Sequence, residues 1–238
     1  SLQLLPEVWQ RLRPLAYRRA DVVTANTAGV LTALESMGAW ERLALLPNPL
    51  PGAPASAVDS GTANAIGFIT VARLVPQKGL DVLVEALPRL SSAATALFVA
   101  FVGVGLERDR LQAQDLGVSD QLPCLVFRSD SERFLVEAAV FVLRHGFEGM
   151  PNAFPEVMAA GLPLILTDAS PGPLAVVEPG VSALGVPSDD PTSPAAAMTS
   201  LASDSDRCKR MGDAARARIA SFGWPQLEPL WQSLLVLS

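Results

Sequence analysis

The chain has 238 residues, 50% of them hydrophobic but only 6% aromatic, and its formal net charge is −6. This length holds one large domain, or one complete domain with part of another, and so few aromatic residues favour an α/β core over a β-sandwich. The negative charge argues against a general nucleic-acid-binding surface, and no apolar run reaches the roughly 18 residues of a membrane span.

The two cysteines give no sign of a metal site. Cys124 and Cys208 lie far apart in the sequence and belong to no cluster with metal-ligand spacing. Two reduced, buried thiols are therefore expected, in a cytoplasmic protein, with association at the inner face of the membrane left open. The sole histidine, His145, has no second histidine with which to form a metal site.

The first 50 residues contain too few elements to fold alone. Apolar spacing predicts a helix over 4–19 and another over 28–37, with short strands over 21–27 and 43–46. Two strand–helix units cannot bury their own apolar faces. Residues 51–64 are rich in Pro, Ala, Ser and Gly, which predicts a linker.

Residues 65–222 alternate strand and helix patterns, and the strands are nearly continuous apolar runs. This pattern is typical of an α/β fold with a doubly wound parallel sheet, whose strands are buried on both faces. A last helix occupies 223–238. The strands are predicted at 66–72, 97–102, 124–127, 139–143, 163–167 and 182–186, and the helices at 79–90, 106–116, 130–138, 153–160, 173–178, 191–203, 206–220 and 225–236.

Two cations follow the first strand of this pattern. Arg73 and Lys78 lie five residues apart in Val71–Gly79, where the strand turns into a helix. A guanidinium can bind two phosphate oxygens at once and an ammonium acts as a movable point charge, so the pair suits a diphosphate. The residues alone fit a solvated loop with two exposed cations equally well.

A Gly-x-Gly follows the next strand. Gly103 and Gly105 resemble part of a dinucleotide loop, but Arg108 occupies the place of the third glycine. The pair therefore gives little support for a nicotinamide or flavin site, and no loop of the Walker type supports ATP hydrolysis. A tight turn into a helix from residue 106 is expected.

The most specific motif runs from Glu148 to Glu156, two glutamates with seven residues between them that flank a Gly-Met-Pro-Asn turn. It follows the apolar strand pattern at 139–143. Asn152 suits a helix N-cap and Pro155 then falls in the first turn, where its missing N–H costs nothing. A helix start flanked by two acids would explain the glutamates without any ligand.

These motifs together resemble the donor-binding half of retaining glycosyltransferases of family 4, which have two Rossmann-like domains in the GT-B architecture. The resemblance implies that Arg73 and Lys78 bind the diphosphate of a nucleotide sugar, that Glu148 contacts donor-sugar hydroxyls and that Glu156 contacts the ribose. Donor-binding residues are then Gly149, Met150, Pro151, Asn152 and Glu156, with backbone N–H groups of Gly149, Met150 and Asn152 on the sugar and phosphate. The sequence departs from the family's usual motif at Arg144, His145, Gly146 and Pro171.

The same resemblance implies how the chain is organised. Residues 1–50 resemble a remnant of the N-terminal acceptor domain, 51–64 the linker, 65–222 the nucleotide-sugar-binding domain and 223–238 a crossover helix. No cofactor or metal is expected beyond the nucleotide diphosphate-sugar donor. The acceptor stays open as a saccharide or lipid-linked saccharide, and a non-catalytic nucleotide-sugar-binding module or a truncated, weakly active transferase is the alternative function.

Two apolar stripes predict a contact beyond this chain's own core. One lies on the first helix (Trp9, Leu12, Leu15) and the other on the last (Trp224, Leu227, Leu230, Trp231, Leu234). We expect them to be covered by a second copy of the chain, by a separate N-terminal domain, or by the two helices packing on each other.

Overall fold

The computed structural model describes residues 7–38, 42–49, 67–90, 98–103, 105–106, 135, 138–143, 153–168, 171–188, 190 and 192–235. A small N-terminal unit comes first. It consists of helix α1 (Glu7–Tyr17), strand β1 (Val23–Ala25), helix α2 (Ala28–Glu35) and strand β2 (Leu43–Leu45), and the two strands pair in parallel.

This unit has a small core of its own. Val23, Ala25 and Leu34 are buried, with partly buried Tyr17 and Leu43 beside them. Thr27 begins α2 because its Oγ1 accepts a hydrogen bond from Val30 N at 3.3 Å. Since so few side chains are buried, the unit depends on contacts outside itself, one of which joins α2 to the short helix at 171–174.

A five-stranded parallel sheet forms the rest of the structure. Its strands are β3 (Gly67–Val71), β4 (Phe98–Val102), β5 (Val140–Leu143), β6 (Leu164–Thr167) and β7 (Ala183–Val186). They lie in the order β4-β3-β5-β6-β7. The sequence therefore predicted both the parallel sheet and five of its strands correctly.

Helices pack on both faces of this sheet, as its apolar strands require. They are α3 (Leu80–Ala86), α4 (Ala153–Ala159), α5 (Pro171–Leu174), α6 (Thr192–Ala202), α7 (Ser205–Ile219) and α8 (Trp224–Leu235). Short 3₁₀ turns occupy Pro76–Lys78, Leu87–Arg89 and Ala220–Phe222.

Alternate residues of each central strand enter two different cores. On one face, Phe141 packs with Phe154 of α4 and Ile219 of α7. On the other face, Val142 packs with Leu83 of α3. Each fully buried large side chain contributes about 1.5–3 kcal/mol, so both faces hold the helices firmly on the sheet.

One helix differs from its prediction. The pattern predicted a helix over 173–178, whereas α5 ends at Leu174 and a turn follows. The backbone N–H of Glu178 donates to Ser182 Oγ at 2.9 Å instead of to a helical carbonyl, and Gly180 has a φ of 78°. This local hydrogen bond competes with the helix and ends it.

Other predictions fall outside the described residues. The expected strand at 124–127, most of the helices at 106–116 and 130–138, and the linker at 51–64 belong to this group, and the domain boundaries stay predictions. No helix in the described part of the chain is long and apolar enough to cross a membrane.

The apolar stripes remain largely exposed. Trp9 and Leu15 on α1 are each 58% exposed, and Trp224 and Leu230 on α8 are 48% and 45% exposed. Leu227 is buried, and the rings of Trp224 and Trp231 lie 6.3 Å apart. The two helices therefore do not bury each other's stripes, and that expected arrangement is wrong.

Candidate functional site

The cation-bearing loop begins where β3 ends. Ala72 N donates to Val102 O at 3.0 Å, so the first residue of the loop is still tied to the neighbouring strand β4. Val75 N then donates to Arg73 O, and Lys78 N to Val75 O, both at 2.9 Å. These bonds close consecutive tight turns, which fix the backbone on which both cations stand.

Gly79 ends this loop in a left-handed conformation, with φ at 56° and ψ at 33°. Glycine adopts this conformation without the steric cost that a Cβ would bring. Helix α3 starts at the next residue, Leu80, which is itself buried. Gly79 therefore allows the 3₁₀ turn and α3 to follow each other without a longer connection.

The two cations differ in exposure. Arg73 is exposed, whereas Lys78 is only 7% exposed. The movable point charge expected for Lys78 is therefore restricted by its surroundings. Arg73 is the cation that this loop presents to solvent.

The Gly-x-Gly after β4 lies against the cation loop. A Cβ built on Gly103 would fall 1.9 Å from Ala72 O, and one built on Gly105 would fall 2.1 Å from Leu74 O. Real Cβ atoms do not approach backbone oxygens so closely, so both positions require glycine. The two glycines thus let β4's loop support the backbone on either side of Arg73. The sequence pattern did not predict this contact, which depends on the pairing of β4 with β3.

The strand order also gives the sheet a switch point. From β3 the chain goes to β4 on one side, and β5 lies on the other side of β3. In open parallel sheets, ligands bind at such a switch point, outside the carboxyl ends of the strands. The loop carrying Arg73 follows β3, and the neighbouring strand β5 ends at Leu143, at the same edge of the sheet.

Glu156 lies in the first turn of α4, as predicted, and is partly buried. The side chains around it (Phe154, Pro155, Val157 and Met158) are buried. These neighbours fix the helix on the core and leave Glu156 on its partly exposed side. Since α4 follows β5, it begins at the same edge of the sheet as the cation loop.

The other predicted site residues (Glu148, Gly149, Met150, Pro151 and Asn152) and His145 fall outside the described residues. Their roles stay predictions. The structure does fix the two ends of the segment that contains them, at Leu143 of β5 and Ala153 of α4.

A further contact joins the carboxyl ends of β6 and β7. Asp168 Oδ1 accepts a hydrogen bond from Ser188 N at 2.9 Å. Asp168 is exposed and directly follows β6. This bond holds the two loops together at the carboxyl edge of the sheet, a role that the sequence pattern around Asp168 did not predict.

The described residues offer neither a metal site nor a reactive thiol. Among them, no group of three or more His, Cys, Asp or Glu side chains could hold a metal ion. Cys208 is partly buried, and burial followed by the nearby charge of Asp204 raises its pKa to about 11, so it is a neutral thiol at pH 7. Its Sγ donates to Ala139 O at 3.5 Å.

Comparison with known proteins gives a family. The glycosyl transferases group 1 family matches residues 62–218, which include the whole five-stranded sheet. The chain belongs to the glycosyl transferases group 1. The switch point between β3 and β5 is therefore the candidate ligand site of a glycosyltransferase domain.

Curated relatives match much of this chain but only part of their own length. An exopolysaccharide phosphotransferase of Streptomyces coelicolor is 28% identical over 94% of this chain and 24% of its own. A GDP-mannose-dependent α-(1-6)-phosphatidylinositol monomannoside mannosyltransferase of Mycobacterium tuberculosis is 31% identical over 67% of this chain and 44% of its own. The chain thus spans less than half of either relative.

Solved structures show the GT-B fold. HepE of Anabaena, solved in complex with UDP-glucose, has a TM-score of 0.84 at 22% identity and matches 99% of this chain and 70% of its own. The pneumococcal O-GlcNAc transferase GtfA, solved with UDP and GlcNAc, has a TM-score of 0.83 at 18% identity over 96% of this chain and 47% of its own. The Rossmann-like sheet is therefore the C-terminal half of a GT-B glycosyltransferase fold.

Proposed function

We propose that this chain is the donor-binding part of a retaining glycosyltransferase of family 4. It would bind a nucleotide diphosphate-sugar and transfer the sugar to a saccharide or lipid-linked saccharide acceptor. Two solved proteins of the same fold carry UDP or a UDP-sugar in their structures, and the mycobacterial relative is named for GDP-mannose. These names support a nucleoside diphosphate as the shared part of the donor.

The observation that carries the proposal is the strand order. It puts the loop of Arg73 and Lys78, which follows β3, beside the carboxyl end of β5, the strand that the Glu148 segment follows in the sequence. A diphosphate in the crevice between these strands would meet a cation on the β3 side. The sugar and the ribose would meet the carboxylates of Glu148 and Glu156 on the β5 side.

Each residue has a proposed part. The exposed guanidinium of Arg73 would bind two diphosphate oxygens, with Lys78 adding positive charge behind it. Glu156 would accept hydrogen bonds from ribose hydroxyls and Glu148 from sugar hydroxyls. Backbone N–H groups of the Gly149–Asn152 turn would complete the sugar and phosphate contacts.

Transfer with retention would proceed by attack on the face that the diphosphate leaves. The acceptor hydroxyl oxygen forms a bond to the anomeric carbon while the bond from that carbon to the diphosphate oxygen breaks. The bonding electron pair leaves with the diphosphate, whose oxygen takes the hydroxyl proton. Arg73 and Lys78 stabilise the charge that develops on the diphosphate, and no metal ion is needed for this step.

A nucleotide-sugar-binding module without transferase activity is the competing function. It would bind the same donor without breaking its glycosidic bond, so donor hydrolysis or transfer by the purified protein separates the two. The phosphotransferase relative does not decide between them, because the chain spans only 24% of that protein.

The test of the donor site is nucleotide binding measured by calorimetry with UDP and with GDP. Arg73→Ala should weaken binding of the preferred nucleotide by about 1.5–3 kcal/mol, the cost of losing a hydrogen bond to a charged group. Arg89→Ala is the matched control. Arg89 is an exposed arginine in the turn after α3, at the opposite edge of the sheet. Equal affinities of wild type and Arg73→Ala would overturn the assignment.

A further inference from the structure

The Arg216 side chain on α7 caps the carboxyl end of α4. Its Nε donates to Ala159 O at 3.2 Å and its Nη2 donates to Ala160 O at 2.8 Å. The last carbonyls of a helix have no donor within the helix, and the helix dipole makes this end negative. A guanidinium therefore supplies both the missing donors and the favourable charge.

The preceding two carbonyls are satisfied by the turn that follows α4. Gly161 N donates to Met158 O at 2.9 Å, and Leu162 N donates to Val157 O at 3.2 Å. Gly161 has a φ of 76°, and the pair of bonds forms a Schellman motif. Together with Arg216, this motif gives each of the four carbonyls from Val157 to Ala160 a donor.

The turn after α4 lies in close contact with α7. A Cβ on Gly161 would fall 2.4 Å from Arg216 Nη2, and a Cβ on Gly212 would fall 2.0 Å from Gly161 O. The α7 backbone therefore touches the turn directly, at Gly212. Ala215, one residue before Arg216, is fully buried in the core, so α7 itself is fixed.

The consequence concerns Glu156, which lies one turn before the cap. Glu156 O accepts the hydrogen bond from Ala160 N at 2.9 Å, and Ala160 O is the atom that Arg216 Nη2 contacts. A helix as short as α4 is marginal by itself, so its packing and its caps decide its orientation. Movement of the capped end would move the Glu156 carboxylate with it.

We infer that Arg216 is a positioning residue for Glu156, which holds that carboxylate in place for the ribose of the donor without touching the ligand. The inference rests on the proposed function, in which Glu156 binds the ribose. This role distinguishes Arg216 from Arg218 on the same helix. Arg218 Nε donates instead to Val176 O, beyond α5, at 3.0 Å.

Two ligands separate positioning from a general loss of structure. UDP contains the ribose, whereas inorganic pyrophosphate contains only the part assigned to Arg73 and Lys78. In calorimetry, Arg216→Met should weaken UDP binding about tenfold and leave pyrophosphate binding within roughly twofold of wild type. Arg210→Met, an exposed arginine on the same helix, loses the same charge and should change neither. Equal weakening of both ligands by Arg216→Met would overturn the inference.

A double-mutant cycle tests the link to Glu156 itself. If Arg216 acts through Glu156, Arg216→Met should cost little further UDP affinity in a Glu156→Gln background. The same tenfold loss in both backgrounds would show that Arg216 acts elsewhere. Should Arg216→Met fail to fold, Arg216→Lys carries the cycle, because it keeps the charge but not the paired donation from Nε and Nη2. Unchanged UDP binding by Glu156→Gln alone would instead refute the proposed role of Glu156.

Discussion

Gly105 lies against the carbonyl of Leu74, so close that a Cβ on the glycine would fall 2.1 Å from the carbonyl oxygen. Leu74 directly follows Arg73 and is itself buried. The loop after β4 therefore fixes the cation loop after β3 by direct backbone contact. A Gly-x-Gly that is too short for a dinucleotide fingerprint still supports the backbone on either side of Arg73.

Substituting Gly105 tests this contact. Gly105→Ala should force the two loops apart, which should weaken UDP and pyrophosphate binding together and lower the free energy of unfolding by about 1–3 kcal/mol, as overpacking does. Gly185→Ala is the control, because nothing lies within 4 Å of its added Cβ. Urea denaturation and calorimetry provide the two measurements. Unchanged pyrophosphate affinity in Gly105→Ala would show that the contact does not place Arg73.

Substitutions of Glu156 and Glu148 should weaken the binding of different ligands. Glu156→Gln should weaken UDP and a UDP-sugar alike by about 1 kcal/mol or more, because the ribose is common to both and glutamine keeps only a neutral acceptor. Glu148→Gln should weaken the UDP-sugar alone. Calorimetry with both ligands checks this division. If both substitutions weaken UDP equally, the assigned roles are wrong.

The hydrogen bonds to Asp190 at the start of α6 should make the free energy of unfolding depend on pH in the acid range. Hydrogen bonds from Ser193 Oγ, then from Thr192 Oγ1 and its backbone N–H, lower the pKa of Asp190 from 3.8 to about 2. Because the folded-state pKa is the lower one, this stabilisation is fully present above pH 3.8 and is lost as the pH falls to about 2.

Asp190→Asn isolates this effect, since asparagine keeps a side-chain oxygen as acceptor but cannot titrate. The difference in unfolding free energy between wild type and Asp190→Asn should be constant above about pH 4 and shrink from there to about pH 2. Urea denaturation across this range measures it. Two curves that run parallel throughout would contradict the lowered pKa.

The exposed stripes on α1 and α8 should mediate association. Since these helices do not cover each other's stripes, a second copy or a separate N-terminal domain remains as the expected cover, and the chain by itself should self-associate. Leu12→Glu should reduce that association in light scattering. Val181→Glu, at an exposed apolar residue on neither stripe, should not. A monomeric wild type with rapid amide exchange across α8 would reject the expectation.

The sequence by itself determined the class of fold. Strand β6 (Leu164–Thr167) is apolar at three of its four positions and buried at all four, which is why its pattern identified a strand enclosed between two layers of helices. Residue type and spacing also placed Glu156 in the first turn of α4 with Pro155 beside it, because proline is tolerated there. These are local properties, which the neighbouring residues along the chain decide.

Only the tertiary structure decided which distant residues meet. The contact of Gly105 with Leu74 depends on β4 pairing with β3, and the cap of Arg216 on Ala160 joins residues 56 positions apart. The spacing of apolar residues along the sequence does not reveal such contacts, because they arise when sheet order and helix packing bring separate segments together. The support behind Arg73 and Glu156 was therefore visible only in the folded chain.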